Sequence, residues 1–355
     1  MAETHLSLPP SVRGGELVPV LDEWLYPIVD TTVPGIGEAR LADIRLSGKQ
    51  TVEHPLRVHR TYTIPLDGYR HSMEITDPID SQSAYTLFSY PGFTEHGKGG
   101  IRQKMHAHLA YTFPEATIIS IDSNGIGTTG DRFDFSGRHD HGLEAMGQQR
   151  LDLARALCGH KPVFMQGTSM GTVISHRAAK ANLVRPASER VNLRGLMWLS
   201  PALVDPSRVV KDMVISFPIG LGLDISKEVA YKTSPAALIG LGRLARRHDF
   251  RPADLPAMAH QLLELLKGTP QADVEAVISQ IPTVVVSGSR DSLTQTKMFR
   301  ELQQQHPNTL TLELIKGRGH GLAMKPGPAC RKLRAAARQL VDETLTQPPT
   351  LSAVV

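Results

Sequence analysis

The chain has 355 residues, 41% of them apolar, with 39 basic and 35 acidic side chains and a formal net charge of +4. That length suits one large α/β domain with an insertion, or two domains. The small charge excess, with aromatics at 5% and none interleaved among Arg243, Arg246, Arg247 and Arg251, argues against a nucleic-acid binder. No segment reaches the ~18 apolar residues of a membrane span, and two cysteines, Cys158 and Cys330, make no disulfide framework. The first residues, MAETHLSLPPSVRGGE, hold no apolar run of signal-peptide length, so a cytoplasmic location is expected.

Residues 1–40 read as an N-terminal extension, rich in Pro, Gly and Ser at its start, with Trp24 to Val33 packing on the domain edge. Ala42 to Leu46, Leu56 to Ile64 and Tyr69 to Ile75 alternate with period two, as antiparallel edge strands do. From Ala84 the rhythm changes. Ala84 to Tyr90 is a short apolar strand ending at Pro91-Gly92, Ile101 to Tyr111 is helical, and Thr117 to Ile121 is a strand. His141 to Leu157 is a helix, with Asp140 placed to cap it, Glu144 in its first turn and Cys158 as a small core residue at its end. The strand and elbow at Val163 to Gly171 follow, then strands at Leu193 to Leu199, Thr283 to Ser287 and Leu310 to Ile315, with helices at Leu293 to Gln304 and Ala329 to Leu345. The last helix carries Leu333, Ala337, Leu340, Val341 and Thr344 along one stripe. Strands alternating with helices predict an α/β fold, a mostly parallel twisted sheet covered on both faces.

Between Pro201 and Ile281 the sequence shows helix-like segments at Asp254 to Leu266 and Asp273 to Ile281, punctuated by prolines, and no strand. The expected division is a core of residues 41–203 and 282–346, a helical cap inserted at 204–281, and a disordered tail at 347–355.

The stretch VFMQGTSMGTVIS, Val163 to Ser175, organises the functional reading. It is a buried strand, then Gly167-Thr168-Ser169-Met170-Gly171, then a helix of small residues. This is G-x-S-x-G in the strand–turn–helix context that gives the pattern meaning. Such a turn strains the backbone of its central residue and lifts the Ser169 hydroxyl clear of the sheet. A serine hydroxyl is a poor nucleophile at neutral pH and needs a general base, itself oriented by an acid. In this context the partners follow in the order Ser, Asp or Glu, His. Asp291 follows the strand in TVVVSGSRDSL, and His320 follows the next strand in KGRGHGLAM. Both therefore lie at carboxyl ends of parallel strands, where the sites of open α/β sheets form. Taken singly, Asp291 reads equally as the cap of the following helix and His320 as a loop histidine. Asp205, after Leu193 to Leu199, is a rival acid, but Pro206 and the insertion follow it directly.

Acyl transfer also needs two N–H donors for the oxyanion. Met170, next after Ser169, supplies one. The loop after Ala84 to Tyr90 supplies the other, with Phe93 as donor and Gly92 giving close approach. At this point the chain resembles the α/β-hydrolase superfamily, in its capped, esterase-like members. The elbow, Pro91-Gly92-Phe93, Asp122 to Gly127, Asp291 and His320 each match a landmark of that family by position. The resemblance spans about Ala84 to Leu345, although the oxyanion loop reads Pro-Gly where His-Gly is common. It implies hydrolysis of an ester, thioester, amide or C–C bond, with acyl transfer or cofactor-free perhydrolysis as alternatives.

Two patterns point elsewhere. Gly125-Ile126-Gly127-Thr128-Thr129-Gly130 is a literal G-x-G-x-x-G, but no apolar helix opens after it, so it is not a dinucleotide fingerprint. His139-Asp140-His141 lacks the ligands of a metal site, and His106 and His108 stand two apart on a helix, facing different ways. No cofactor and no metal are expected. The expected function is therefore a serine hydrolase in which Ser169 attacks, His320 shuttles the proton, Asp291 orients it, and Phe93 and Met170 hold the oxyanion. The apolar run Met213 to Ile225, including Phe217, either forms an acyl pocket or is the insertion's own core. Gly92 and Phe217 are the expected substrate contacts. The partner expected is a small-molecule ester of a hydrophobic acid, with a homodimer left open. The reading from another class is a binding protein that keeps the fold and uses its pocket as a receptor.

Overall fold

The structure is a computed structural model and describes residues 26–29, 57–66, 69–78, 83–92, 109, 112–123, 142–209, 211, 255–291, 293–320 and 326–346. Residues 42–46 and most of 101–111 and 210–254, read above as a strand, a helix and the bulk of the insertion, lie outside them.

Nine strands form one sheet: β1 (Tyr26–Val29), β2 (Arg57–Leu66), β3 (Tyr69–Pro78), β4 (Tyr85–Tyr90), β5 (Ala116–Ile121), β6 (Val163–Thr168), β7 (Leu193–Leu199), β8 (Thr283–Gly288) and β9 (Leu310–Ile315). Their spatial order is β1-β2-β3-β5-β4-β6-β7-β8-β9. The first three pair antiparallel, and β3 pairs antiparallel with β5. All pairs from β5 to β9 are parallel. β1 falls within the expected N-terminal extension, pairs at the sheet edge and carries Pro27, which an edge tolerates because its missing N–H breaks no ladder on both sides.

The inner parallel strands, β4 to β8, are largely apolar on both faces because helices cover both. Val163 and Met165 of β6, Leu196 and Trp198 of β7 and Val285 of β8 join the core beneath α1 (Leu143–Cys158), α2 (Met170–Val184), α4 (Gln271–Ile278) and α5 (Thr296–Gln305). Phe164, Met197, Leu199, Val284 and Val286 point the other way, onto Leu333, Ala337, Leu340 and Val341 of α6 (Pro326–Thr346). The stripe expected on the last helix is the buried one.

Helix starts differ from the sequence reading in two places. α1 begins at Leu143 with Gly142 at its N-cap, and Asp140, read above as the cap, lies outside the described residues. α5 begins at Thr296, later than expected, because Asp291 takes the backbone N–H groups of Leu293 and Thr294 into a turn of its own. At the insertion, Thr269 N donates to Val204 O at 2.7 Å, so entering and leaving chains meet there. α3 (Leu255–Leu266) precedes that junction. α4 follows it, and its Val274, Val277 and Ile278 are buried in the main core. α4 thus packs beside α2 in the layer on the sheet, although it lies in the span read as cap. Among the described residues no helix is long and apolar enough to cross a membrane.

α2 and α4 meet through His176, fully buried, whose Nε2 donates to Asp273 O at 3.1 Å. Lys180 Nζ reaches the Asp273 carboxylate at 2.8 Å and Arg177 lies 3.7 Å from it. Burial pushes the imidazole down to about 4, and neighbouring Arg177 adds to this against the bond to Asp273. In the unfolded chain a histidine titrates near ~6.5. The unfolded state therefore binds more protons between these values. The contribution is complete above ~6.5 and is lost as pH falls to about 4, up to about 3 kcal/mol. His176→Gln keeps a donor toward Asp273 but does not titrate. Urea unfolding at pH 7 and pH 4.5 should show a smaller acid loss of stability for this variant than for wild type.

Candidate active site

β4 lies between β5 and β6, and the chain turns back there: β5 is laid down on one side of β4 and β6 on the other. The carboxyl ends of β4 and β6 therefore flank the topological switch point, where open α/β sheets bind ligands. β4 ends in Pro91 and Gly92, both buried, and β6 ends in Ser169.

Ser169 adopts φ 50° and ψ −115°, outside the regions that L-residues favour. Its N–H donates to Leu199 O at 2.9 Å, and its carbonyl accepts from Thr172 N at 3.0 Å and Thr172 Oγ1 at 2.5 Å. The elbow is thus lashed to β7 on one side and to the first turn of α2 on the other. Both flanking glycines are required by space. A Cβ on Gly167 would stand 2.5 Å from Gly171 O and 2.6 Å from Thr172 Cα. One on Gly171 would strike the carbonyls of Tyr90 and Pro91, the latter at 2.6 Å. Gly171 thus lets α2 sit directly on the end of β4.

Ser169 Oγ lies 2.8 Å from His320 Nε2. His320 Nδ1 lies 3.0 and 2.9 Å from the two oxygens of Asp291. An ionised carboxylate only accepts, so Nδ1 carries the proton, and the neutral ring offers Nε2 as acceptor for the serine hydroxyl. The Asp291 side chain is fully buried and that of His320 10% exposed. Asp291 also accepts from Leu293 N and Thr294 N at 3.0 Å each, from Ser287 Oγ at 3.1 Å, and has Thr294 Oγ1 at 3.0 Å. Burial alone would raise its carboxyl. The facing His320 and the donors of Thr294 outweigh that and hold it below the usual carboxylate range. Asp291 therefore fills both roles weighed above: it shapes the turn before α5 and it faces His320.

The other sequence-derived residues fall as follows. Met170 is the first residue of α2, where the backbone N–H groups have no intrahelical acceptor and the helix dipole is positive. Gly92 is buried at the end of β4, while Phe93 and Phe217 lie outside the described residues. Asp205 caps a short 3₁₀ turn, accepting from Ser207 N at 2.9 Å and Ser207 Oγ at 2.5 Å, and its other oxygen takes Gln271 N at 3.4 Å. It is the acid of the insertion's junction, and Asp291 is the one on the histidine. Residues 124–141, which hold both the glycine pattern and His139 to His141, lie outside the described residues. Among the described residues no group of three His, Cys, Asp or Glu side chains is arranged to hold a metal. Cys158 is buried, and burial pushes its thiol up to about 12.

Three residues of the site were missed in the sequence. Ser287 and Thr294 supply hydroxyls to Asp291, and D-x-x-T, in which an aspartate gathers the N–H groups that follow it, was the available signal for the second. Thr294 Oγ1 also lies 3.0 Å from Pro201 O, so it ties the acid to the end of β7. Ser200, at that same end, has φ 48° and a buried hydroxyl without a partner among the described residues. Nothing in the sequence marks it.

No protein-family model and no curated protein matches the chain. Solved structures do. A carboxylesterase of the thaumarchaeon Nitrososphaera gargenis aligns at TM-score 0.55 and 12% identity, over 80% of this chain and 99% of its own. A thermophilic esterase from Thermogutta terrifontis aligns at 0.51 and 17%, over 80% and 99%. A meta-cleavage product hydrolase from Pseudomonas fluorescens aligns at 0.52 and 13%, over 79% and 97%. At such identities the likeness is one of architecture. The chain has the α/β-hydrolase fold.

The strain at Ser169 is open to measurement. Ser169→Ala and Ser169→Gly both remove the hydroxyl, but only glycine accepts φ 50° freely. Such strain costs ~1–3 kcal/mol and glycine's extra unfolded-state freedom offsets about 1 of it. Urea denaturation should therefore find Ser169→Gly more stable than Ser169→Ala by about 1 kcal/mol.

Proposed function

We propose that the protein is a serine hydrolase that cleaves an ester of a hydrophobic acid through an acyl-enzyme on Ser169. The observation that carries the reading is the unbroken run of hydrogen bonds from Ser169 Oγ through the His320 ring to the buried Asp291 carboxylate. In this reading His320 Nε2 takes the serine proton as Oγ attacks the carbonyl carbon. The positive charge that develops on the ring is held by Asp291. The oxyanion forms toward the first turn of α2, where Met170 N–H is one donor and the loop after β4, with Phe93, brings the second. His320 then returns its proton to the leaving alkoxide. Water repeats the sequence on the acyl-enzyme and frees the acid. The esterases and hydrolases among the structural neighbours support this class of reaction on this fold.

The ester is the first choice because an ester carbonyl is intrinsically more open to attack than an amide's, and esterases stand among the structural neighbours. The apolar run at 213–225, with Phe217, is the proposed wall for the acyl chain, in a cap that joins the core at Val204 and Thr269.

A panel of p-nitrophenyl esters of rising chain length, run on wild type and Ser169→Ala, tests the reading. Wild type should turn over at least part of the panel, and Ser169→Ala should lose nearly all of that turnover. A serine-directed phosphonate should label wild type at Ser169 alone. Equal turnover by both proteins, or no labelling of wild type, would leave Ser169 without the role assigned to it.

The support of the acid is a separate test. Thr294→Val removes a hydroxyl facing Asp291 while keeping the backbone N–H. Steady-state kinetics should give kcat lower by about tenfold with KM little changed, since ring orientation matters only as charge develops.

A further inference from the structure

A strand covered by helices on both faces is expected to be apolar throughout. β6 breaks that expectation at Gln166, three residues before the nucleophile and fully buried. It shares its face of the sheet with Phe164, Leu87 and Met197, all in the core against α6. An amide in such surroundings is retained only where its polar atoms are matched. Here both are. Ser89 Oγ donates to Gln166 Oε1 at 2.7 Å, and Gln166 Nε2 donates to Thr168 Oγ1 at 2.9 Å. Each hydroxyl both donates and accepts, so the bridge stands whichever way the amide is turned.

The place of this bridge matters. Ser89 faces Gln166 across the β4–β6 pair, and the next pair, Tyr90 and Gly167, is the last before both strands end. Beyond it, β4 runs into Pro91-Gly92 and β6 into Ser169. The backbone ladder that fixes their register stops there, and the ends of strands fray first. On the opposite side Gly171 rests against the carbonyls of Tyr90 and Pro91. The rim end of β4 is therefore held from two sides, by the amide bridge below and by α2 beside it.

We propose that Gln166 is a positioning residue, aligning the end of β4, and the oxyanion loop it leads into, with the nucleophile at the end of β6. The proposal rests on the serine-hydrolase reading. It assigns Gln166 no contact with substrate. Its effect passes through Ser89 to β4 and through Thr168 to its chain neighbour Ser169. Loss of the bridge leaves binding intact and loosens the geometry in which the oxyanion is met, so it acts on kcat.

Gln166→Met is close in volume and apolar. It strands the hydroxyls of Ser89 and Thr168 and lowers stability. The double variant Ser89→Ala/Gln166→Met also removes one stranded group, so it should recover melting temperature. Kinetics are measured for both with an oxoester and with the matching thionoester, whose sulfur is a poor acceptor for the oxyanion donors. For the double variant, kcat on the oxoester should fall by about tenfold to 10²-fold, with KM within about twofold. The preference for oxoester over thionoester should shrink by a similar factor. A plain structural defect would lower both substrates equally. If the double variant regains wild-type kcat along with its melting temperature, or keeps the wild-type oxoester preference, the proposal is overturned. Phosphonate labelling of wild type separates the two hypotheses: labelling at Ser169 with an unaffected double variant sinks only the positioning role, and no labelling sinks both.

Discussion

The hydrogen bond between Ser169 and His320 joins residues 151 apart in sequence, and everything distinctive about the structure serves to bring them together. Neither side chain could be placed by its own segment. Parallel strands solve the problem, because every loop that leaves a carboxyl end leaves at the same rim. β6, β8 and β9 deliver Ser169, Asp291 and His320 in turn to that rim. The antiparallel strands β1 to β3 extend the sheet away from it and contribute no member. Their role is to cover the flank of β5, which would otherwise be a bare edge.

The cost of this convergence is visible in the backbone and in the charges. Ser169 stands in a strained conformation because the chain must reverse from strand to helix within one residue. Asp291 is an ion removed from water, and an ion so placed is tolerated only when its acceptor capacity is filled. His320, two backbone amides and two hydroxyls fill it. The same five groups fix the carboxylate in space, so satisfying the ion and aiming the imidazole are one event. A water-exposed aspartate would carry no such desolvation cost, but it would not hold the ring to one orientation.

Much of this was legible in the chain because the elbow is a local constraint. Gly167 and Gly171 must lack side chains for steric reasons, and a steric requirement writes itself into sequence at fixed spacing. The order of Asp291 and His320 was legible because the sheet is parallel and each follows a strand. What lay beyond reach depended on register or on partners distant in sequence. Ser287 and Thr294 are ordinary near an aspartate until the carboxylate is seen to point between them. α4 has the composition of an inserted helix, and only Val274, Val277 and Ile278 against the main core assign it to the layer on the sheet. The helix after Asp140 starts later than its pattern suggests, at Leu143 with Gly142 as N-cap, because a glycine there carries no side chain that could mark the boundary.

Gln166 shows why polar residues in buried strands merit attention by position rather than by count. At the far ends of the strands Thr117 reaches Asp77 on β3 and Thr283 reaches Ile281 O, bonds that close off the sheet's base. The middle of the inner parallel strands is apolar, as at Leu87 and Phe88, Ile118 and Ile119, or Val284 to Val286. Polar side chains return at the rim: Ser89 on β4, Ser120 and then Asp122 on β5, Gln166 and Thr168 on β6, Ser200 after β7, Ser287 on β8. The hydrophobic effect favours none of them there. Their common property is nearness to the end where the chain must be held to a single geometry without the ladder's help. Apolar packing is non-directional and leaves a strand end free to shift by fractions of an ångström. Hydrogen bonds are directional and do not. A buried parallel strand whose apolar middle gives way to polar residues at its carboxyl end therefore marks the edge at which packing alone no longer specifies the structure closely enough.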